Sequence, residues 1–140
     1  MTARHPSTLE MVQRLLTRFG AQDAAGVAQL FHLDAQCHSS EIPGDPWPSK
    51  SRGRREIEAF FLTVFHRLEF QAVTVRKVLV DGDDAVVFGG GRYRATGTGR
   101  TFSQDFAVSV SVRGGLIQEY RVVEDTLAIS MALGRAYPIY

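Results

Sequence analysis

The stretch that decides the fold is TFSQDFAVSVSVRGGLIQEYRVVED, residues 101–125. From Thr101 to Arg113 the residues alternate, with Phe102, Phe106, Val108, Val110 and Val112 on one side. Ser103, Asp105, Ala107, Ser109 and Ser111 fall on the other. Successive side chains of a strand point to opposite faces, so a period of two predicts a long strand with one buried face. Gly114-Gly115 turns the chain, and Leu116–Glu124 returns as a second strand. Upstream, Val73–Val80 and Ala85–Thr96 flank Asp81-Gly82-Asp83-Asp84, another hairpin signal. The second half of the chain therefore reads as a run of antiparallel strands.

The first half has the helical period. Ser7 and Glu10 have capping-box spacing, and Leu9, Val12, Leu15, Leu16 and Phe19 follow on one face of a helix that Gly20 ends. Asp23 caps a second helix whose buried face is Val27, Leu30 and Phe31. Ala35–Ser40 reads as a short strand. In Ile42–Ser51, Pro43, Gly44, Pro46 and Pro48 surround Trp47 and rule out a helix or central strand. Gly53 starts a third helix with the stripe Ile57, Phe60, Phe61, Val64, Phe65 and Leu68, and Asp125 caps a short last helix, Thr126–Leu133. Helices gathered on one side of an antiparallel sheet make an α+β architecture. A long twisted sheet curls, so three N-terminal helices cover part of its concave face and leave a cone-shaped pocket. One domain over residues 1–140 is expected.

Composition narrows the function. Apolar residues make up 44% and charged residues 22%, an ordinary balance for a chain with a sizeable core. The formal charge of +1 gives no electrostatic reason to expect nucleic acid or an acidic membrane as partner. The lone Cys37 excludes an internal disulfide and suits a cytoplasmic location. No stretch has the ~20 apolar residues that a membrane helix needs. His5, His32, His38 and His66 show no metal spacing. Cys37 and His38 are neighbours on an alternating strand and face opposite ways, so neither a shared metal nor a Cys–His nucleophile pair is expected.

Several motifs occur in one order: the Gly53-Arg54-Arg55-Glu56-Ile57 helix start after the proline-rich loop, the Phe60-Phe61 pair, the Gly82-Asp83 hairpin, Gly115-Leu116-Ile117, and the closing Tyr120…Glu124-Asp125-Thr126. In that order they resemble the SnoaL-like branch of the NTF2-like superfamily, over about Leu9 to Leu133. The resemblance implies a cone-shaped α+β barrel, homodimerisation sheet to sheet, and a pocket used by ketosteroid isomerases, limonene epoxide hydrolases, polyketide cyclases or non-enzymatic binding domains. Fold alone leaves the choice open. The isomerase tyrosine, aspartate base and protonated acid fall on Leu15, Ser39 and Val108, which cannot do that chemistry. The epoxide hydrolase set falls on Val122 and near Gly89–Gly91, its water-holding pair on Cys37 and Ser39, and it fails likewise.

The resemblance makes the face with Leu116, Gln118, Tyr120, Val122 and Glu124 the pocket face. Glu124 is then a carboxyl on a mostly apolar wall: an acid–base group, or a residue that reaches solvent at the pocket rim or pairs with an arginine. Arg92, after three glycines, points inward to pair with Glu124 or an anionic ligand, or outward to solvent. Trp47 closes the mouth or packs in the core. The expected pocket comprises Ser39, Trp47, Phe61, Phe88, Arg92, Phe106, Val108, Tyr120 and Val122, with Glu124 as acid–base, a small apolar molecule as ligand, and no metal or cofactor. The dimer is expected on the outer face, through Ser103, Ala107, Ser109 and Ser111 with Ile117 and Val123 beside them.

Overall fold

The computed structural model describes residues 4–134. Helix α1 (Thr8–Gly20) opens on the capping box: the Glu10 N–H donates to Ser7 Oγ at 3.1 Å and the Ser7 N–H to Glu10 Oε1 at 3.3 Å. Helix α2 (Ala24–Ala28) is capped by Asp23, which accepts from the Gly26 N–H. Phe31, expected at the end of this helix, instead begins strand β1 (Phe31–His38). It is fully buried there, and tertiary burial overrides the local helical spacing. The edge strand β2 (Lys50–Arg52) follows the proline-rich loop, and helix α3 (Gly53–Arg67) starts at once. Gly53 has φ +82°, and a Cβ on it would lie 3.1 Å from the Leu33 carbonyl, so the chain can turn into α3 against β1 only with glycine here.

Strands β3 (Leu68–Asp81), β4 (Asp84–Ala95), β5 (Thr101–Arg113) and β6 (Leu116–Val123) form the antiparallel run, and helix α4 (Thr126–Ala132) closes it. The six strands form one sheet in the order β2-β1-β6-β5-β4-β3. Only β1 and β6 pair in parallel, so the sheet is mixed. The fold is the NTF2-like α+β cone, with helices against the concave face. β3 is longer than Val73–Val80, and two irregularities, between Phe70 and Ala72 and between Val75 and Lys77, interrupt its alternation.

Facing follows from register. Val87 pairs with Val108 and Val108 with Val122, and all three are buried on the concave side. β4 runs against β5 without a shift, so Gly89, Gly91 and Tyr93 also face inward, opposite Phe106, Gln104 and Phe102. In β6 a bulge lies beside Gln118: Ser111 pairs with Glu119, but Val112 pairs with Ile117. The bulge corrects the expected face at its start. Ile117 is 0% exposed in the core, whereas Leu116 and Gln118 are half-buried. Ile117 is thus unavailable to an outer-face dimer. Val123 and the small-residue stripe of β5 do lie on that face.

Candidate functional site

A cavity of about 230 Å³ lies between the helices and the concave sheet. Leu16 and Phe19 come from α1, and Phe60, Phe61, Val64 and Phe65 from α3. The sheet contributes Leu68, Phe70, Val73, Val75, Tyr93, Gln104, Phe106, Val108, Tyr120 and Val122, and Glu124 stands just past β6. The rings form a connected chain. Phe61 lies 5.4 Å from Phe19 and 5.5 Å from Tyr120, Phe65 5.4 Å from Phe70, and Phe70 5.1 Å from Tyr93. The Phe19–Phe61 pair is tilted and the other three are edge-to-face; such pairs hold one another in preferred orientations, so the wall is pre-shaped.

Glycines make the space. A Cβ on Gly89 would lie 2.8 Å from Phe106 Cζ, and one on Gly91 would lie 2.5 Å from the Tyr93 hydroxyl. Both rings therefore come closer to the β4 backbone than a side chain at Gly89 or Gly91 would allow.

Among the described residues Glu124 is the one carboxyl in this wall, and no lysine, arginine or histidine lines it. Burial pushes its pKa above the ordinary carboxylate value, because desolvation penalises the charged form. A hydrogen bond from Gln104 Nε2 to Oε2, at 3.1 Å, pulls the other way. Burial, with the charge of Glu124 added, raises Tyr93 to about 12, and the neighbouring Gln104 amide opposes the rise. Tyr120 is raised well above its usual value, mainly by burial. Both tyrosines are neutral hydroxyls at physiological pH.

The structure brings Phe61, Phe106, Val108, Tyr120, Val122 and Glu124 to one cavity. Four expected residues are elsewhere. Phe88 pairs with Ala107 on the outer face and is 42% exposed, since the unbroken β4 register turns even-numbered residues outward. The same parity puts Arg92 outside, in a polar groove with Arg76 and Asp105, away from Glu124. Trp47 is buried in the core rather than over the cavity mouth, and its Nε1–H has no partner among the described residues. Ser39 follows β1, where its N–H bonds the Ser49 carbonyl, and does not reach the cavity.

Gln104 and Tyr93 are the polar residues of the cavity that the sequence pattern did not single out. Gln104 shares the parity of Phe102 and Phe106, so the alternation itself carried the signal. Asp125 caps α4, accepting from the Ala128 N–H at 3.0 Å. Among the described residues no group of three or more His, Cys, Asp or Glu is placed to hold a metal ion. None of the described helices is long and apolar enough to cross a membrane.

The SnoaL-like domain family matches residues 12–120. The chain belongs to that family. No curated protein matched it. Solved structures share the fold at low identity. One is an NTF2-like protein of unknown function from Burkholderia pseudomallei, 19% identical over 90% of this chain and 96% of that one, with TM-score 0.81. Another, from Catenulispora acidiphila, has a ketosteroid isomerase-like fold and was solved with trimethylamine; it is 16% identical over 95% and 96% of the two chains, TM-score 0.75. TerC, co-crystallised with polyporic acid, is 22% identical over 91% and 98%, TM-score 0.75. At such identities the likeness carries the fold alone.

Proposed function

We propose that this SnoaL-like domain binds a small, mostly apolar, neutral molecule in the cavity, and that Glu124 meets its one hydrogen-bond acceptor as a proton donor. The observation that carries this reading is a single carboxyl, raised by burial, in an aromatic wall that has no basic side chain among the described residues. A carboxyl whose pKa burial raises keeps its proton to higher pH than an exposed one, and in that form it can donate to a carbonyl or ether oxygen and exchange its proton with the ligand. That suits a cofactor-free isomerase, cyclase or hydrolase. An apolar cavity of ~150 Å³ already takes up benzene, so about 230 Å³ admits a substituted single ring.

Binding without turnover is the second reading. It is favoured by Leu15 and Val108, apolar residues at the positions where ketosteroid isomerases carry donors.

The test uses three ring compounds of similar size, followed by NMR shifts of the cavity residues: acetophenone, benzoate and phenyltrimethylammonium. Acetophenone should bind, more tightly as pH falls, and benzoate should not. The cation is the informative rival, since an amine was present in the Catenulispora structure. If phenyltrimethylammonium binds best, and more tightly as pH rises, Glu124 acts as a counter-ion and the proton-donor reading is wrong.

The proposal extends to a cytoplasmic homodimer through the outer face of β4, β5 and β6. There Phe88, Ala107 and Val123 form a cross-strand row, with Phe88 and Val123 exposed. Sedimentation at micromolar concentration showing only a 15.5 kDa species would remove this part.

A further inference from the structure

Glu124 is held from one side. Gln104, buried on β5, reaches two groups at once. The Asp125 backbone N–H donates to its Oε1 at 3.0 Å, and its Nε2 donates to Glu124 Oε2 at 3.1 Å. These two contacts fix the amide. A backbone N–H can only donate, so the atom facing it is the carbonyl oxygen, and the NH₂ group must face the carboxyl. Oε2 of Glu124 is thereby committed to accepting, which favours Oε1 as the oxygen that carries a proton. Oε1 has no hydrogen-bond partner among the described residues. Trp47 Nε1 is the only fully buried side-chain polar atom left unpaired there, so the unpaired Oε1 is not sealed off, in keeping with the half-buried position of Glu124.

We propose that Gln104, anchored by the Asp125 N–H, is a positioning residue: it holds the Glu124 carboxyl by one oxygen and leaves the other to the ligand. The proposal rests on the reading of Glu124 as the polar contact of the cavity. It also ties that carboxyl to the start of α4, because Asp125 both caps the helix and anchors the amide.

The test follows the Glu124 carboxyl carbon by NMR against pH in the wild type, Gln104→Met and Gln104→Glu. Methionine keeps the bulk but removes the donor that favours the anion, so the midpoint should rise above the wild type. Glutamate keeps an acceptor for the Asp125 N–H and sets a second carboxyl against Glu124. The pair should then titrate in two steps, the upper one above the wild-type midpoint. A Gln104 that only braces α4 would lower the melting temperature of Gln104→Met and leave the Glu124 midpoint in place, which overturns the proposal. If the methionine variant does not fold, an upper step in Gln104→Glu no higher than the wild-type midpoint overturns it equally. Acetophenone binding is measured on the same samples. No binding to the wild type, with midpoints moving as stated, sinks the ligand reading and leaves the positioning role standing. Binding with unmoved midpoints does the reverse.

Discussion

At Glu124 the folded environment acts against the charged form, and stability must respond. The pKa is raised on folding, so the native state holds the proton more firmly than the unfolded chain. Stability from this group is fully present below the ordinary carboxylate value and is lost as pH rises through the folded midpoint. Glu124→Gln removes that loss while keeping an acceptor for Gln104. The variant should gain on the wild type as pH rises, and the gap should close towards pH 4. Urea unfolding at pH 4, 6 and 8 measures it, and a gap that does not change with pH would contradict the assignment. At this scale the sequence was partly legible. Glu124 stood out as an acid on an apolar face, and Gln104 could have been read from the same alternation. Phe88 and Arg92 could not: Gly89-Gly90-Gly91 has no side chains, and a run without side chains does not say which face is which.

Among the elements, strand β4 acts on the cavity through what it lacks. A methyl group on Gly89 would lie 2.5 Å from the Thr74 carbonyl oxygen and 2.8 Å from Phe106 Cζ. The ring can move only into the cavity, and the carbonyl belongs to the paired strand. Gly89→Ala should therefore cost about 1–3 kcal/mol, as overpacking does, and weaken acetophenone binding. Gly20→Ala is the control: it also borders the cavity, but a Cβ there meets nothing within 4 Å. At the end of α1 it should be neutral or stabilise by up to ~1 kcal/mol. Equal losses in both variants would mean that glycine flexibility, and not the space over β4, matters. The helices and the four long strands were legible because period and caps agree. The bulge beside Gln118 was not, since the sequence there still alternates and only the pairing with β5 adds the extra residue.

For the whole molecule, the cone follows from order and curvature: helices first, then long strands that must curl around them. The SnoaL-like family matches residues 12–120, and at 16–22% identity the solved structures share the shape alone. Identity of the fold therefore leaves the chemistry to the cavity, and the cavity offers an aromatic wall and one acid. The most direct test is the Glu124 carboxyl-carbon titration in the wild type, free and saturated with acetophenone, with Glu124→Gln to assign the signal. The account predicts a midpoint above the ordinary carboxylate value in the free protein, and a further rise with acetophenone bound, because the ligand's oxygen accepts from the protonated form. A free-protein midpoint at or below the ordinary value, or a fall on adding acetophenone, would contradict it.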